Sequence, residues 1–134
     1  MTAGEIRVAI NSDQDIVTAR QKGRALATEL GFATGDATLI ATAISELARN
    51  IVSYARRGEI TLKIVDGSGR QGILVIASDD GPGIPDIRQA LRDGFSTSGS
   101  LGLGLPGVRR LMDEFEITSQ PGRGTIVAVK KWKQ

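Results

Sequence analysis

Asp79-Asp80-Gly81-Pro82-Gly83-Ile84-Pro85 and then Gly94-Phe95-Ser96-Thr97-Ser98-Gly99-Ser100-Leu101-Gly102-Leu103-Gly104-Leu105-Pro106-Gly107 are the stretches that decide how this chain is read. Seven of its 17 glycines lie between Gly81 and Gly107. Glycine loses more conformational freedom on folding than any other residue, so such density needs a reason. Backbone that approaches a ligand closely is one. Bare N–H groups leading into a helix N-terminus, where an anion is held, are another. A surface loop with incidental glycines is the plainer alternative. Two glycine clusters bracketing one polar segment, with an aspartate pair at its entrance, favour a ligand.

Upstream of this stretch, Glu5 to Ile10 alternates, with Ile6, Val8 and Ile10 on one side, and reads as a half-buried strand. Ser12 and Asp15 resemble a helix cap with an acidic first turn. Ile16, Ala19, Gly23, Leu26 and Leu30 recur at helical spacing, so a helix is expected from about Asp13 to Leu30, stopped by Gly31. A second helix starts at Thr34 or Asp36 and runs to about Tyr54. Its apolar stripe is Ile40, Ile44, Leu47 and Ile51. Glu46 and Asn50 share a face roughly 110° from the centre of that stripe, at its border, and Arg49 lies further round. Taken alone, Glu46 and Asn50 read as ordinary solvent-facing polar residues. Glu59 to Val65 and Ile73 to Ala77 form a hairpin across an Asp66–Gly72 turn, and the second strand delivers Asp79 to the sheet edge.

Downstream, a short helix is expected from Pro85-Asp86 to Leu91. A third helix starts at Gly104 and uses Leu105, Val108, Leu111, Met112 and Phe115, with Pro106 tolerated in its first turn. Ile117 to Ser119, a Pro121-Gly122-Arg123-Gly124 turn and Thr125 to Trp132 close the chain as a second hairpin. Repeats, low-complexity tracts and linkers are absent.

Composition narrows the chemistry. The 134 residues suit one domain, and 40% hydrophobic with 4% aromatic content implies an aliphatic core. Net charge is +2 and no basic stripe interleaves with aromatics, which argues against nucleic acid. Cysteine and histidine are both absent, so disulfides, thiolate catalysis, Ser-His-Asp chemistry, His-ligated zinc and phosphohistidine are excluded. Any general base is then a carboxylate, a lysine or a tyrosine. The apolar runs are too short for a membrane span or signal peptide, so a cytoplasmic protein is expected.

Gly102 to Gly107 matches G-x-G-x-x-G, but a polar loop precedes it rather than a strand, so the dinucleotide-binding reading fails. Walker A and eukaryotic-type kinase signatures are absent. What remains is a series: Glu46-Leu47-Ala48-Arg49-Asn50, Asp79-Asp80-Gly81-Pro82-Gly83, Gly102 to Gly107, and Gly122-Arg123-Gly124-Thr125. In order and spacing these resemble the N, G1, G2 and G3 boxes of the GHKL ATPase superfamily, the Bergerat fold. The chain further resembles small bacterial serine-protein kinases related to anti-sigma factors, and within them the RsbT switch kinases of stress signalling. That match runs through Ala43 to Asn50, Asp79 to Ile87, Gly94 to Gly99 and Gly104 to Phe115.

The resemblance implies an α+β two-layer sandwich, with a mostly antiparallel mixed sheet covered on one face by three main helices. It implies one ATP-binding kinase domain over residues 1–134, with an ATP lid at about 84–101. By residue, Asp79 matches the acceptor of the adenine amino group. Gly81 and Gly83 match glycines that let backbone approach base and sugar. Gly102, Leu103, Gly104 and Gly107 match the phosphate hinge before the third helix. Asn50 matches the magnesium ligand, Glu46 the catalytic base, and Thr125 the hydroxyl supporting the adenine contact. Asp80 has no such assignment and reads as a surface carboxylate.

The implied activity is transfer of the γ-phosphate of ATP, with magnesium, to serine or threonine of a partner. The implied partners are a STAS-domain antagonist and co-antagonist in a stressosome, and a PP2C-type phosphatase that the kinase activates by binding. Two alternatives stay open: an anti-sigma factor kinase that binds sigma directly, and a non-catalytic nucleotide-gated binding module. The first shares every ATP motif. Glu46 argues against the second, since binding alone needs no base.

Overall fold

The computed structural model describes residues 5–84, 91 and 104–134. The chain order is β1 (Glu5–Ile10), α1 (Asp13–Glu29), α2 (Thr34–Asn50), a π-helical segment (Ile51–Ala55), β2 (Gly58–Gly67), β3 (Arg70–Asp79), α3 (Gly104–Leu111), β4 (Glu114–Gln120) and β5 (Gly124–Trp132). The strands form one sheet in the order β1-β2-β3-β5-β4. Every one of its pairings is antiparallel, so the parallel part of a mixed sheet is not found among the described residues.

Alternation in the strands and the 3.6-residue period in the helices meet in one core. Val8, Ile10, Ile60, Leu62, Ile73, Val75, Val127 and Val129 supply the sheet side. Ile16, Leu26, Ile40, Ile44, Leu47, Leu105 and Val108 supply the helix side. All are aliphatic and almost fully removed from water, which is where most of the stabilisation arises. The opposite sheet face carries Arg7, Lys63, Lys130 and the half-exposed Ile126.

Local signals set the helix ends as expected. Asp15 Oδ2 accepts the backbone N–H groups of Asn11 at 2.8 Å and Ser12 at 3.2 Å, which fixes the start of α1. At its end, Gly31 (φ 88°) donates to Thr28 O and Phe32 to Ala27 O, both at 3.0 Å. That is a Schellman stop, with Phe32 tucked into the core. Helix α2 does run on to the Tyr54 region, but its last turn widens into the π-helical segment directly after Asn50. Arg56 closes it at φ 72° and turns the chain into β2.

Two expectations are corrected. The Asp66–Gly72 turn shrinks to Ser68-Gly69, both at positive φ (51° and 79°), because β2 and β3 pair as far as Gly67 and Arg70. Gly67 and Gly72 are strand residues, and a Cβ on either would stand 2.9 or 2.8 Å from the Trp132 ring laid across them. Phe115 is not in the third helix: α3 ends at Leu111 and Phe115 pairs with Val129 in the sheet. The Asp113 N–H bond to Lys130 O, at 2.9 Å, already commits the chain to β5. Helical spacing from Val108 to Met112 simply ran on into a strand whose inward positions happened to continue it. The expected helix from Pro85 lies outside the described residues, apart from Leu91.

Candidate functional site

One end of the site is built on the sheet. Asp79 ends β3, between Gly58 of β2 and Thr125 of β5. Its Oδ1 accepts the Gly81 N–H at 2.9 Å, which fixes the carboxylate. Gly81 has no room for a side chain, since a Cβ there would stand 2.6 Å from Ala55 Cβ in the π-helical segment. Gly83 (φ 81°) lies against Gln120 O, and Gly124 (φ 97°) against Asp79 O. These glycines therefore let one stretch of backbone pack on another. Thr125 Oγ1 lies 2.8 Å from Ser119 Oγ. Asp79, Asp80, Ser119, Arg123, Gly124 and Thr125 line part of an open cavity of about 770 Å³ at this end of the sheet.

The other end is built on α2. Glu46 is 7% exposed, more buried than the border position expected from the helical wheel. The cause is α3, which packs on α2 there. Glu46 Oε1 accepts the N–H of Gly104, the first residue of α3, at 3.2 Å. A carboxylate on the leading N–H of a helix is favoured by its dipole. Asn50, one turn on, ends α2 and is partly exposed. Gly107 is buried in α3.

The structure thus brings Glu46 and Gly104 into contact, and Asp79 and Thr125 onto the wall of one cavity, which neither Glu46 and Asn50 nor Gly81 and Gly83 line. Gly102 and Leu103 lie outside the described residues, as does most of the 84–101 stretch. Two residues were missed by sequence reasoning. Ser119 joins the loop after Asp79 to Thr125 through hydrogen bonds. Its signal was present: Phe115, Ile117 and Ser119 alternate inward along β4. Arg49 has its Nε buried with no hydrogen-bond partner.

The donor set suits a magnesium nucleotide. Among the described residues, no cluster of three or more carboxylate, imidazole or thiol groups could hold a metal ion alone. Magnesium keeps most of its waters and takes one or two protein oxygens plus phosphates, which a single Asn50 amide oxygen matches. The Arg49 Nε is buried without a hydrogen-bond partner, a donor that an anion could satisfy.

Comparisons with known proteins agree with this geometry. Residues 35–134 match the family described as histidine kinase-, DNA gyrase B- and HSP90-like ATPases. The chain belongs to this family. Within it, the chain is 58% identical to the serine/threonine-protein kinase RsbT of Bacillus subtilis (strain 168), over 93% of this chain and 94% of that protein. It is 32% identical to an anti-sigma F factor of Thermoanaerobacter sp. (strain X514), over 92% of this chain and 89% of that protein. These matches place this GHKL ATPase in the serine-protein kinase branch related to anti-sigma factors. Two solved structures share the fold at 17% identity: the mycobacterial sensor histidine kinase MprB (TM-score 0.57, 97% of this chain and 98% of that one) and the catalytic domain of histidine kinase ThkA (TM-score 0.53, 96% of each). The architecture is the Bergerat α+β fold. No helix among the described residues is long and apolar enough to cross a membrane.

Proposed function

We propose that this chain transfers the γ-phosphate of magnesium-ATP to serine or threonine of STAS-domain partners in a bacterial stress-signalling complex. In the same reading it is a cytoplasmic partner switch that, once released from that complex, binds and activates a PP2C-type phosphatase. The observation that carries the catalytic part is the buried Glu46 carboxylate held on the Gly104 N–H, one turn from Asn50. A base, a hard metal ligand and the start of a helix then share one small region. In phosphoryl transfer the protein mainly positions the reactants and offsets charge, and these parts suffice for that.

Roles follow from the chemistry of each group. Asp79 Oδ2 accepts the adenine amino group, with Thr125 in support. Magnesium, when bound, neutralises and orients the phosphates, and Asn50 would hold it. In this reading the Gly102 to Gly107 hinge would offer N–H groups to phosphate oxygens, other than the Gly104 N–H already bonded to Glu46, and the α3 dipole would favour them. Glu46 orients or deprotonates the incoming hydroxyl. Asp80 is given no role in this reading.

The direct test is transfer of label from radiolabelled ATP to candidate STAS proteins, with the acceptor residue mapped. Absence of transfer to any STAS partner by protein that binds ATP would remove the kinase reading. The anti-sigma F similarity supports one second reading, direct binding of a sigma factor. Pull-down against a sigma factor and a PP2C phosphatase separates the two.

A further inference from the structure

Ser119 sits where the two base-side segments meet. Its Oγ accepts the Ile84 N–H at 2.7 Å, lies 3.1 Å from Gly124 O, and lies 2.8 Å from Thr125 Oγ1. Backbone packs on backbone around it. Gly122 N–H donates to Pro82 O at 2.8 Å. A Cβ on Gly83 would stand 2.4 Å from Gln120 O, and one on Gly124 2.0 Å from Asp79 O. The Asp79–Ile84 loop is therefore docked directly on the β4–β5 turn, and Ser119 is the side chain within that junction.

A hydroxyl has one proton and two lone pairs. The Ile84 N–H occupies one lone pair. The proton then has two destinations. If it goes to Gly124 O, Thr125 must give its own proton to Ser119 and turns only lone pairs to the cavity. If it goes to Thr125, the Thr125 proton is free to point at a bound base. One rotor thus decides whether Thr125 donates or accepts, and it is hydrogen-bonded to the loop that fixes Asp79.

We propose that Ser119 is a positioning residue for base recognition: it sets the direction of the Thr125 hydroxyl and ties it to the Ile84 backbone. The base contact and the Asp79–Ile84 loop are then set together. This deepens the nucleotide reading and rests on it. A serine that only satisfied its own hairpin would leave loop and base contact independent.

The test uses ADP titration by calorimetry and amide exchange at Ile84 by NMR. Both are run on the wild-type chain, Ser119→Ala, Ser119→Thr, Thr125→Val and the Ser119→Ala/Thr125→Val double variant. In the wild type, ADP binds and slows exchange at Ile84. Ser119→Ala weakens ADP by roughly 5–10-fold, the usual weight of one hydrogen bond, and ADP no longer slows Ile84. Ser119→Thr, which keeps the hydroxyl, restores both, a recovery that loss of fold in the alanine variant could not mimic. The double variant loses less than the product of the single effects, because the two hydroxyls act as a pair. Wild-type ADP affinity with wild-type slowing at Ile84 in Ser119→Ala overturns the inference, as do independent effects in the double variant or a wild-type Ile84 amide indifferent to ADP. A wild-type chain that binds no ADP overturns the nucleotide reading itself, a separate and recognisable outcome.

Discussion

Asp79 commits one carboxylate oxygen to the fold, and in the proposed reading the other takes the base. Oδ1 holds the Gly81 N–H at 2.9 Å, so the side chain is aimed before any ligand arrives. Asp79→Asn tests the other oxygen. The amide oxygen can keep the Gly81 bond, which leaves the amide NH₂ facing the cavity. An adenine amino group then meets a donor where it needs an acceptor. The expected loss of ATP affinity is ~1.5–3 kcal/mol, the range for a hydrogen bond to a charged group. Calorimetry at fixed magnesium measures it, and unchanged affinity in folded protein would take Asp79 out of the site. Asn50 is tested differently. If Asn50 is the proposed metal ligand, Asn50→Ala should weaken nucleotide binding only when magnesium is present. Equal weakening with and without magnesium would make Asn50 a ligand of the nucleotide rather than of the metal. Both roles are implied by the family resemblance: taken alone, Asn50 reads as a solvent-facing polar residue and Asp79 as an aspartate delivered to the sheet edge. The inward alternation of β4 marks Ser119 as facing the helix side, but its partner Thr125 appears only when β4 and β5 pair.

Among the elements, α1 and α2 meet so closely at Gly23 that no side chain fits there. A Cβ on Gly23 would stand 2.1 Å from Ile44 Cδ1, and Ile44 is fully buried. Alanine at this helical position would gain ~1 kcal/mol in propensity over glycine. Overpacking a full core costs ~1–3 kcal/mol. Leu62 Cδ1 lies 4.0 Å from the same Cβ position and Ile44 is fully buried, so the displaced carbon must find space inside a filled core. Sterics should win, so Gly23→Ala is expected to lower stability by ~1–2 kcal/mol, read as a shift in urea midpoint. Adding Ile44→Val removes the clashing carbon, so the double variant should be more stable than Gly23→Ala alone. A stabilised Gly23→Ala would mean that the helices can move apart. Gly23 was legible as a core position through its i, i+3, i+4 spacing. The reason it is glycine was not legible, because the contact comes from another helix. Phe115 and the Asp66–Gly72 stretch were misread for a related reason. Periodicity is local, whereas the ends of α3 and β2 are decided by pairing with β5 and by packing under Trp132.

Across the whole molecule, the proposed base is buried at the α2–α3 junction, whereas a docking partner can meet only what the surface exposes. Element order, strand alternation and the four boxes were legible in the chain itself, because each depends on short-range pattern. The burial of Glu46 was not, because it depends on α3 returning to cover α2. That burial permits a separation of the two proposed activities. Glu46→Gln keeps shape and volume, and the glutamine carbonyl oxygen can still accept the Gly104 N–H. The junction between α2 and α3 should therefore hold, and the magnesium ligand one turn away is untouched. Only the basic oxygen is lost. Magnesium-ATP binding should stay near the wild-type level while phosphate transfer to the STAS partner falls ~10²–10⁴-fold, the usual weight of a general base. With Glu46 only 7% exposed, the substitution changes almost nothing that a docking protein can touch. The variant should still bind and activate the phosphatase. Transfer and phosphatase activation are then measured on the same preparation. Normal transfer by Glu46→Gln would strip Glu46 of its role as base. A variant that binds ATP normally yet fails to bind the phosphatase would show that the buried site and the outer surface respond to one another. In that case the switch would be read through the state of the nucleotide pocket rather than through an independent face.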